Sequence, residues 1–467
     1  MNNFKVFNIA FTLLMLTVIA ACNDDDKPEP KKEESLVPKE VQEINQFVWE
    51  GMDFAYFWNT SMPEVDYEWE EDTYELFDKL LFTSVDRWSF ITDDVDALNN
   101  YFSGISKSMG HSIRLFRLTE DSDDLVGFIE YVEPGSPADL AGGIYRGRMF
   151  HKIDGTKLTI SNYSNLLNQD DYTMTFGLLN QDLTITDETP SVNIAAVEWQ
   201  SNPILMSKVI DHGGSKVGYL VYTSFVDDYN DELEAVFADF KNQGVDNLVL
   251  DLRYNSGGSV NSAILLSSMI APADKVGDVL LRTNYNDNLK DYFDLKYPNE
   301  TDLYIDRIIE NSNNLNLDKV AILSTFKTAS ASEMVIYGLD PHMEVIHIGE
   351  QTHGKYYGSI TLSDPDEKHK WAMQPIVMRA ENKTNSISYN EGLIPNPERI
   401  DFIDANEMFE LGNVNEDFLA VALTSLTGVA PAKAQLKAAK RIISDPVNVE
   451  ANIGHPLKYD MQYNFKK

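Results

Sequence analysis

One cysteine, Cys22, stands in a chain of 467 residues. A disulfide within one chain is therefore impossible, and stability has to come from packing, for which this length offers apolar material enough for two or three domains. Positive charge is also scarce. The 38 Lys and Arg are outnumbered by 74 Asp and Glu, which leaves a net charge of −36. Such a chain repels nucleic acid and anionic lipid over any unscreened distance, so neither is expected as a partner, and the acidity reads as solubility. The eight histidines are scattered and form no His-Glu-x-x-His pattern. Ser363-Asp364-Pro365-Asp366-Glu367 lacks the spacing of a calcium loop, and no Gly-rich phosphate loop is present. These absences argue against a metal and against nucleotide chemistry, and no cofactor is expected. The most apolar stretch, Val6 to Ala21, falls short of the ~20 residues of a spanning helix.

That stretch is informative in another way. Lys5 precedes it, and Ile19-Ala20-Ala21-Cys22 ends it with small residues, the pattern of a secretory signal over residues 1–22. Ile-Ala-Ala-Cys resembles a bacterial lipobox, which implies acylation of the Cys22 thiol and attachment to a membrane through that lipid; the alternative is an ordinary signal with an incidental cysteine. Asn23-Asp24-Asp25-Asp26 and the charged, Pro-containing run to Glu34 cannot bury themselves and read as a tether over 23–36. Asn23 after the cysteine resembles lipoproteins released to the bacterial outer membrane, and the Asp triplet resembles a surface-export signal. A lipid-anchored outer-membrane protein is expected, with the periplasmic and cell-surface faces both open.

Past the tether, Val41, Ile44, Phe47, Val48, Phe54 and Ala55 recur mostly at intervals of three and four, as do Tyr74, Phe77, Leu80 and Leu81, predicting a helical cap over 37–100. Short strands punctuated by Gly and Pro follow over 101–200, with one short helix beginning at Ser136-Pro137. From 201 to 430 strands and helices alternate. Val217 to Tyr222 and Val245 to Leu252 are strands, and the helix between them carries a Leu233, Val236, Phe237, Phe240 stripe closed by Gly244. Further on, Val320 to Ser324 and Glu344 to Ile348 read as strands around a helix from Ala331 to Leu339, and Asn415 to Thr427 as a final helix. This order predicts a multi-domain α/β protein. Residues 273–318 read as a polar insertion without evident structure, and 431–467 as a tail.

The chemistry concentrates in Thr328-Ala329-Ser330-Ala331-Ser332-Glu333 and in Gly354-Lys355, 355 − 330 = 25 residues after Ser330. Ser330 directly precedes a helix, where unpaired N–H groups and the dipole favour an oxyanion. The same residues also fit a capping box, Ser330 with Glu333 three residues on. A lysine is a base only when neutral, and its ordinary pKa is about 10.4, so a dry site is required; Tyr356-Tyr357 could wall one.

These two motifs, the turn Asp251-Leu252-Arg253-Tyr254-Asn255-Ser256-Gly257-Gly258, and the preceding Gly/Pro-punctuated strands together resemble the carboxy-terminal processing (tail-specific) serine peptidases, over about Tyr101 to Thr427. The resemblance implies a Clp-protease/crotonase-like catalytic core with a PDZ-like β domain. It implies Ser330 as nucleophile, Lys355 as general base, and the N–H of Ala331 with that of Gly257 or Gly258 as oxyanion hole. Polypeptide tails would be the partners, their carboxylate held at Gly110-His111-Ser112-Ile113, unless the PDZ-like unit is only a spacer. Two positions depart from the family pattern: Ser359 stands where Gln commonly orients the base, and Tyr356 where Gly commonly follows the Lys. They leave open a second reading, a peptide- or ligand-binding lipoprotein that keeps the scaffold without turnover.

Overall fold

The computed structural model describes residues 35–119, 121–180, 182–384, 389–402, 408–431 and 461–462. Cys22, the signal, most of the tether and the basic stretch Lys433 to Arg441 lie outside the described residues.

The cap is built on α1 (Lys39–Ala55), which buries Ile44, Val48, Met52 and Ala55, the three- and four-residue repeat of its sequence. Asp72 opens α2 (Thr73–Leu80) by accepting the N–H groups of Tyr74 and Glu75, and Leu76, Phe77 and Leu80 pack with the α1 stripe. Then come β1 (Phe90–Thr92) and α3 (Val95–Phe102), the latter capped by Asp94.

The second unit contains β2 (Ile105–Ser108), β3 (His111–Arg117), β4 (Leu125–Val132), α4 (Pro137–Ala141), β5 (Met149–Ile153), β6 (Thr156–Lys157), α5 (Tyr163–Leu167), β7 (Asp171–Leu179), β8 (Ile185–Asp187), β9 (Val192–Ala195) and β10 (Val197–Gln200). Its main sheet runs β3-β4-β5-β7-β8, antiparallel throughout, with β6 on β5 and β9 on β7. Leu115, Ile129, Phe150, Ile153 and Phe176 fill its core. The expected loop Gly110 to Ile113 is a loop only at Gly110, whose φ is +75°; His111 already begins the edge strand β3. The physical reason is the pairing of His111 with Val132 and Ser112 with Tyr131, which turns a Gly-led segment into ladder at once.

The third unit alternates as its sequence pattern requires: β11 (Ile204–His212), β12 (Ser215–Tyr222), α6 (Asn230–Gln243), β13 (Asn247–Asp251), β14 (Gly258–Ser259), α7 (Val260–Ile270), β15 (Val279–Tyr285), α8 (Asp287–Lys296), β16 (Ile305–Arg307), β17 (Lys319–Ser324), α9 (Ala331–Leu339) and β18 (Glu344–Gly349). The five-stranded sheet runs β11-β12-β13-β17-β18, with only β11 antiparallel to its neighbour. Both faces are covered. Leu248 and Leu250 of β13 pack with Phe237, Leu266 and Val335 from α6, α7 and α9, while Val249 packs with Phe418 and Leu423 of α10 (Asp417–Thr427) on the other face.

A second sheet stands at the strand ends. With β19 (Tyr357–Ser359), β20 (Leu362–Ser363), β21 (Ala372–Gln374), β22 (Ile376–Asn382) and β23 (Met461–Gln462), its order is β14-β23-β19-β22-β15-β16, while β1, β21 and β20 pair separately. The span 273–318, expected to be without structure, thus supplies two strands of this sheet and α8. Leu280, Leu281, Leu289, Phe293, Ile308 and Leu317 are its buried apolar residues, too widely spaced among polar neighbours to give a visible period.

Charges brace the turn after β13. Arg253 is fully buried and holds Asp251 at 2.6 Å and Glu416, at the start of α10, at 2.8 Å. Arg146 of the second unit reaches Asp401 at 2.9 Å, and Tyr254 donates to the same carboxylate at 2.6 Å. Removing one member leaves the others charged and unpaired in a dry interior. Arg253→Met is therefore expected to cost about 3–5 kcal/mol in urea denaturation, whereas a surface ion pair in the same assay would cost under ~1 kcal/mol.

Candidate active site

After β17 the chain turns through Thr325 to Ala329 into α9, and this turn is stitched to the one after β13. Thr328 Oγ1 donates to the Leu252 carbonyl at 2.8 Å, the Ala329 N–H to the Asn255 carbonyl at 3.2 Å, and Ser332 Oγ to that same carbonyl at 3.0 Å. At the end of the turn sits Ser330, fully buried, with φ +59° and ψ −117°, a conformation that side-chain-bearing residues rarely adopt. Ser330 and Glu333 stand in the capping-box relation, yet only one of its two bonds reaches full hydrogen-bond geometry. The Ser330 N–H donates to Glu333 Oε2 at 2.8 Å, while Ser330 Oγ has no partner among the described residues. The hydroxyl stands in capping-box position toward the Glu333 N–H without reaching hydrogen-bond geometry. The Ala331 N–H, first of the helix, likewise has no partner among the described residues.

Glu333 does far more than cap. Its Oε2 accepts the N–H of Ser330 and, also at 2.8 Å, the N–H of Lys355; its Oε1 accepts the Gly354 N–H at 2.7 Å and the Thr352 hydroxyl. One fully buried carboxylate oxygen therefore bridges the backbones of Ser330 and Lys355. Burial pushes the Glu333 carboxyl up to about 7, against the opposing pull of its four donors.

Lys355 is 1 % exposed. Gly354 ahead of it has φ +90°, and a Cβ there would lie 2.4 Å from the Asn390 carbonyl, so the approach to Lys355 needs glycine. Tyr356 and Tyr357 follow, their rings stacked at 4.4 Å, and the cap packs Phe57, Trp58 and Trp88 around Tyr357. His353 lends its backbone: its N–H donates to the Thr328 carbonyl at 2.9 Å and its carbonyl accepts Arg87 of the cap at 3.2 Å. Ser359 is buried in β19 and accepts from Gln374 Nε2 at 3.2 Å, so a glutamine does reach this position, delivered by β21.

Gly257 and Gly258 take φ +111° and +129°, and a Cβ on Gly258 would meet the Phe225 carbonyl at 2.2 Å. Of the two oxyanion candidates, Gly257 has its N–H on Asn255 Oδ1 at 2.9 Å. The predicted carboxylate loop is tied to the same region from the other side. Lys327, three residues before Ser330, donates to the Ile113 carbonyl at 2.9 Å and pairs with Glu130, which also accepts Ser112 Oγ at 2.6 Å. The structure thus brings together Ser330, Ala331, Lys355 and the glycine turn, with Ser112 and Ile113 joined to them through Lys327. His111 is half-buried at the start of β3, and desolvation pushes its pKa down to about 4. Thr352, Lys327 and Gln374 were not singled out from the sequence, since their partners lie far along the chain; Glu333 had a signal in its spacing from Ser330, and Asn255 only as part of the turn motif. No cluster of His, Cys, Asp and Glu able to hold a metal occurs among the described residues.

A mixed α/β chain that buries an unpartnered serine at a helix start, one carboxylate away from a buried lysine, has the outline of a serine-type hydrolase. Comparison with known families makes this specific. Residues 216–386 match Peptidase family S41 and residues 43–90 the Peptidase S41 N-terminal domain. The chain thus carries Peptidase S41 family domains, which support a C-terminal processing serine peptidase. It is 25% identical over 320 residues to Carboxyl-terminal-processing peptidase 2, chloroplastic, of Arabidopsis thaliana, a match covering 65% of this chain and 56% of that one. This chain therefore spans little more than half the length of that relative. A solved S41 protease structure from Bacteroides fragilis NCTC 9343 superposes with a TM-score of 0.67 at 28% identity, covering 82% of this chain and 98% of that one. The photosystem II D1 C-terminal processing protease gives a TM-score of 0.46 at 18% identity, covering 86% and 99%.

The raised pKa of Glu333 has a definite sign. Folding favours its protonated form, so its contribution to stability is fullest below its ordinary pKa of 4.5, is lost as pH climbs to about 7, and is constant above. Urea denaturation from pH 4.5 to 7 is expected to lose about 3 kcal/mol more in the parent than in Glu333→Gln. Parallel curves would mean that Glu333 is ionised throughout.

Proposed function

We propose that the protein is a serine endopeptidase that hydrolyses peptide bonds in extended or unfolded polypeptides near their C-termini, through an acyl-enzyme on Ser330. The observation that carries this reading is the idle hydroxyl: Ser330 Oγ is buried, strained in its backbone and without a hydrogen-bond partner among the described residues, while a single carboxylate oxygen fixes its backbone relative to that of Lys355. In this reading Lys355 takes the hydroxyl proton as Oγ attacks the scissile carbonyl. The oxyanion falls to the N–H groups of Ala331 and Gly258, the Gly257 N–H being engaged. Collapse breaks the C–N bond as the lysine returns the proton to the leaving amine; water, deprotonated in the same way, then cleaves the ester and restores Ser330.

Gln374, acting through Ser359, is the support we assign to the base in place of the glutamine the family resemblance leads one to expect at 359. The antiparallel unit with β3 on its edge is read as a PDZ-like domain receiving a substrate tail, the third unit as a Clp-protease/crotonase-like core, and Cys22 as the lipid attachment at the outer membrane. The unengaged nucleophile and buried lysine argue against the inactive, ligand-holding alternative.

Digestion of unfolded casein by the chain lacking residues 1–22 tests this. Ser330→Ala and Lys355→Ala are each expected to abolish cleavage. Because Ser330 Oγ makes no hydrogen bond among the described residues, Ser330→Ala should alter stability by less than ~0.5 kcal/mol; a loss of ~1 kcal/mol with cleavage retained would make Ser330 a helix cap and end the assignment. Gln374→Ala is expected to lower kcat by up to about 100-fold through misplacement of the base loop, with KM little changed. An unchanged kcat would leave Gln374 a packing residue.

A further inference from the structure

The second sheet has an occupant that the chemistry above does not use. β23 lies between β14 and β19 and runs parallel to both: Met461 stands opposite Gly258, and Gln462 opposite Ser259 on one side and Ser359 on the other. β14 opens on the glycine assigned to the oxyanion, and β19 begins two residues after Lys355. The segment is therefore inserted between the turn and the strand that flank nucleophile and base. Without it, β14 and β19 would present facing edges about 9–10 Å apart, twice the strand spacing. That gap admits one extended backbone, held by main-chain hydrogen bonds on both sides, and excludes a helix, whose diameter is ~10–12 Å.

We propose that the slot between β14 and β19 is the strand site for polypeptide substrate, and that the chain's own segment at Met461–Gln462 is its resident occupant, a pseudo-substrate that other polypeptides must displace. The word substrate rests on the peptidase reading above; the seating of the segment does not. The segment belongs to the same chain as the slot, and covalent linkage of an occupant to its site gives effective concentrations up to the order of mM. A free polypeptide at micromolar concentration competes poorly against it. The enzyme is then slow on dilute substrate and becomes active where tails are concentrated or where a partner draws the segment away. The pairing runs through backbone groups, so the slot asks for an extended chain with free N–H groups at the positions of Met461 and Gln462, and proline there should be refused.

The test uses two altered chains, the double substitution Met461→Pro with Gln462→Pro and a chain ending at Asp460, each also carrying Ser330→Ala for a readout that needs no turnover. Hydrogen exchange of Gly258–Ser259 and Tyr357–Ser359 is expected to accelerate at least tenfold in both, and unfolded casein should restore the protection. With Ser330 intact, both chains should cleave casein with KM about tenfold lower than the parent at unchanged kcat. Unchanged exchange at both strands overturns the seating. Faster exchange that casein does not reverse, or an unaltered KM where cleavage is measurable, overturns the slot as a substrate site. If exchange responds as expected and no chain cleaves casein, the strand slot and its occupant stand while the peptidase reading falls.

Discussion

The Glu333 carboxylate is the interaction on which the rest of the site depends. Ser330 sits on the helix that follows β17, and Lys355 on the loop that follows β18, so nothing in the chain's local geometry fixes one relative to the other. Four donors converge on Glu333, three of them backbone N–H groups, and two of these belong to Ser330 and Lys355 themselves. A backbone clamp positions without consuming side chains. It leaves the Ser330 hydroxyl unengaged, whereas a direct capping bond would have held it out of reaction.

The strain at Ser330 persists because the turn around it is over-determined. A φ of +59° on serine costs of the order of 1–3 kcal/mol and relaxes unless its surroundings forbid it. Here the turn is bonded to the Leu252 and Asn255 carbonyls on one side and to His353 on another, and Lys327 anchors it to Glu130 and Ile113 of the second unit. The Asp251-to-Gly258 turn that supplies those carbonyls is in turn locked by Arg253 between Asp251 and Glu416. Two units of the chain thus converge on this turn, and the cap adds Arg87 and an aromatic wall behind the lysine.

What the sequence made legible follows from where its information lies. Strands β12, β13, β17 and β18 are continuous apolar runs because both their faces are covered, and α6 carries an evident stripe and a Gly244 stop; each can be read within a dozen residues. The second sheet could not be read so. Strands β14, β19 and β23 are two or three residues long, and their pairing is a property of the backbone with no side-chain period. The site divides along the same line. Ser330, Lys355 and the glycine turn announce themselves as short motifs. Glu333 was visible only as a cap, because its other partners lie 19 to 22 residues away, and Gln374 was invisible because β21 brings it to Ser359 from outside the motif.

The same backbone logic joins the sheet to the chemistry. On the function proposed above, the substrates differ in all their side chains, and what they share is an extended backbone. A slot bounded by two strand edges reads that common feature, and it does so with N–H and C=O groups on elements already fixed by the glycine turn and by the loop that Glu333 holds. Such a slot cannot tell a foreign tail from a segment of its own chain by shape. Discrimination has to come from concentration, which tethering tilts toward the chain itself, and from the second unit, whose Lys327 contact lies three residues from the nucleophile. Selectivity in this architecture is therefore a matter of competition for one strand position.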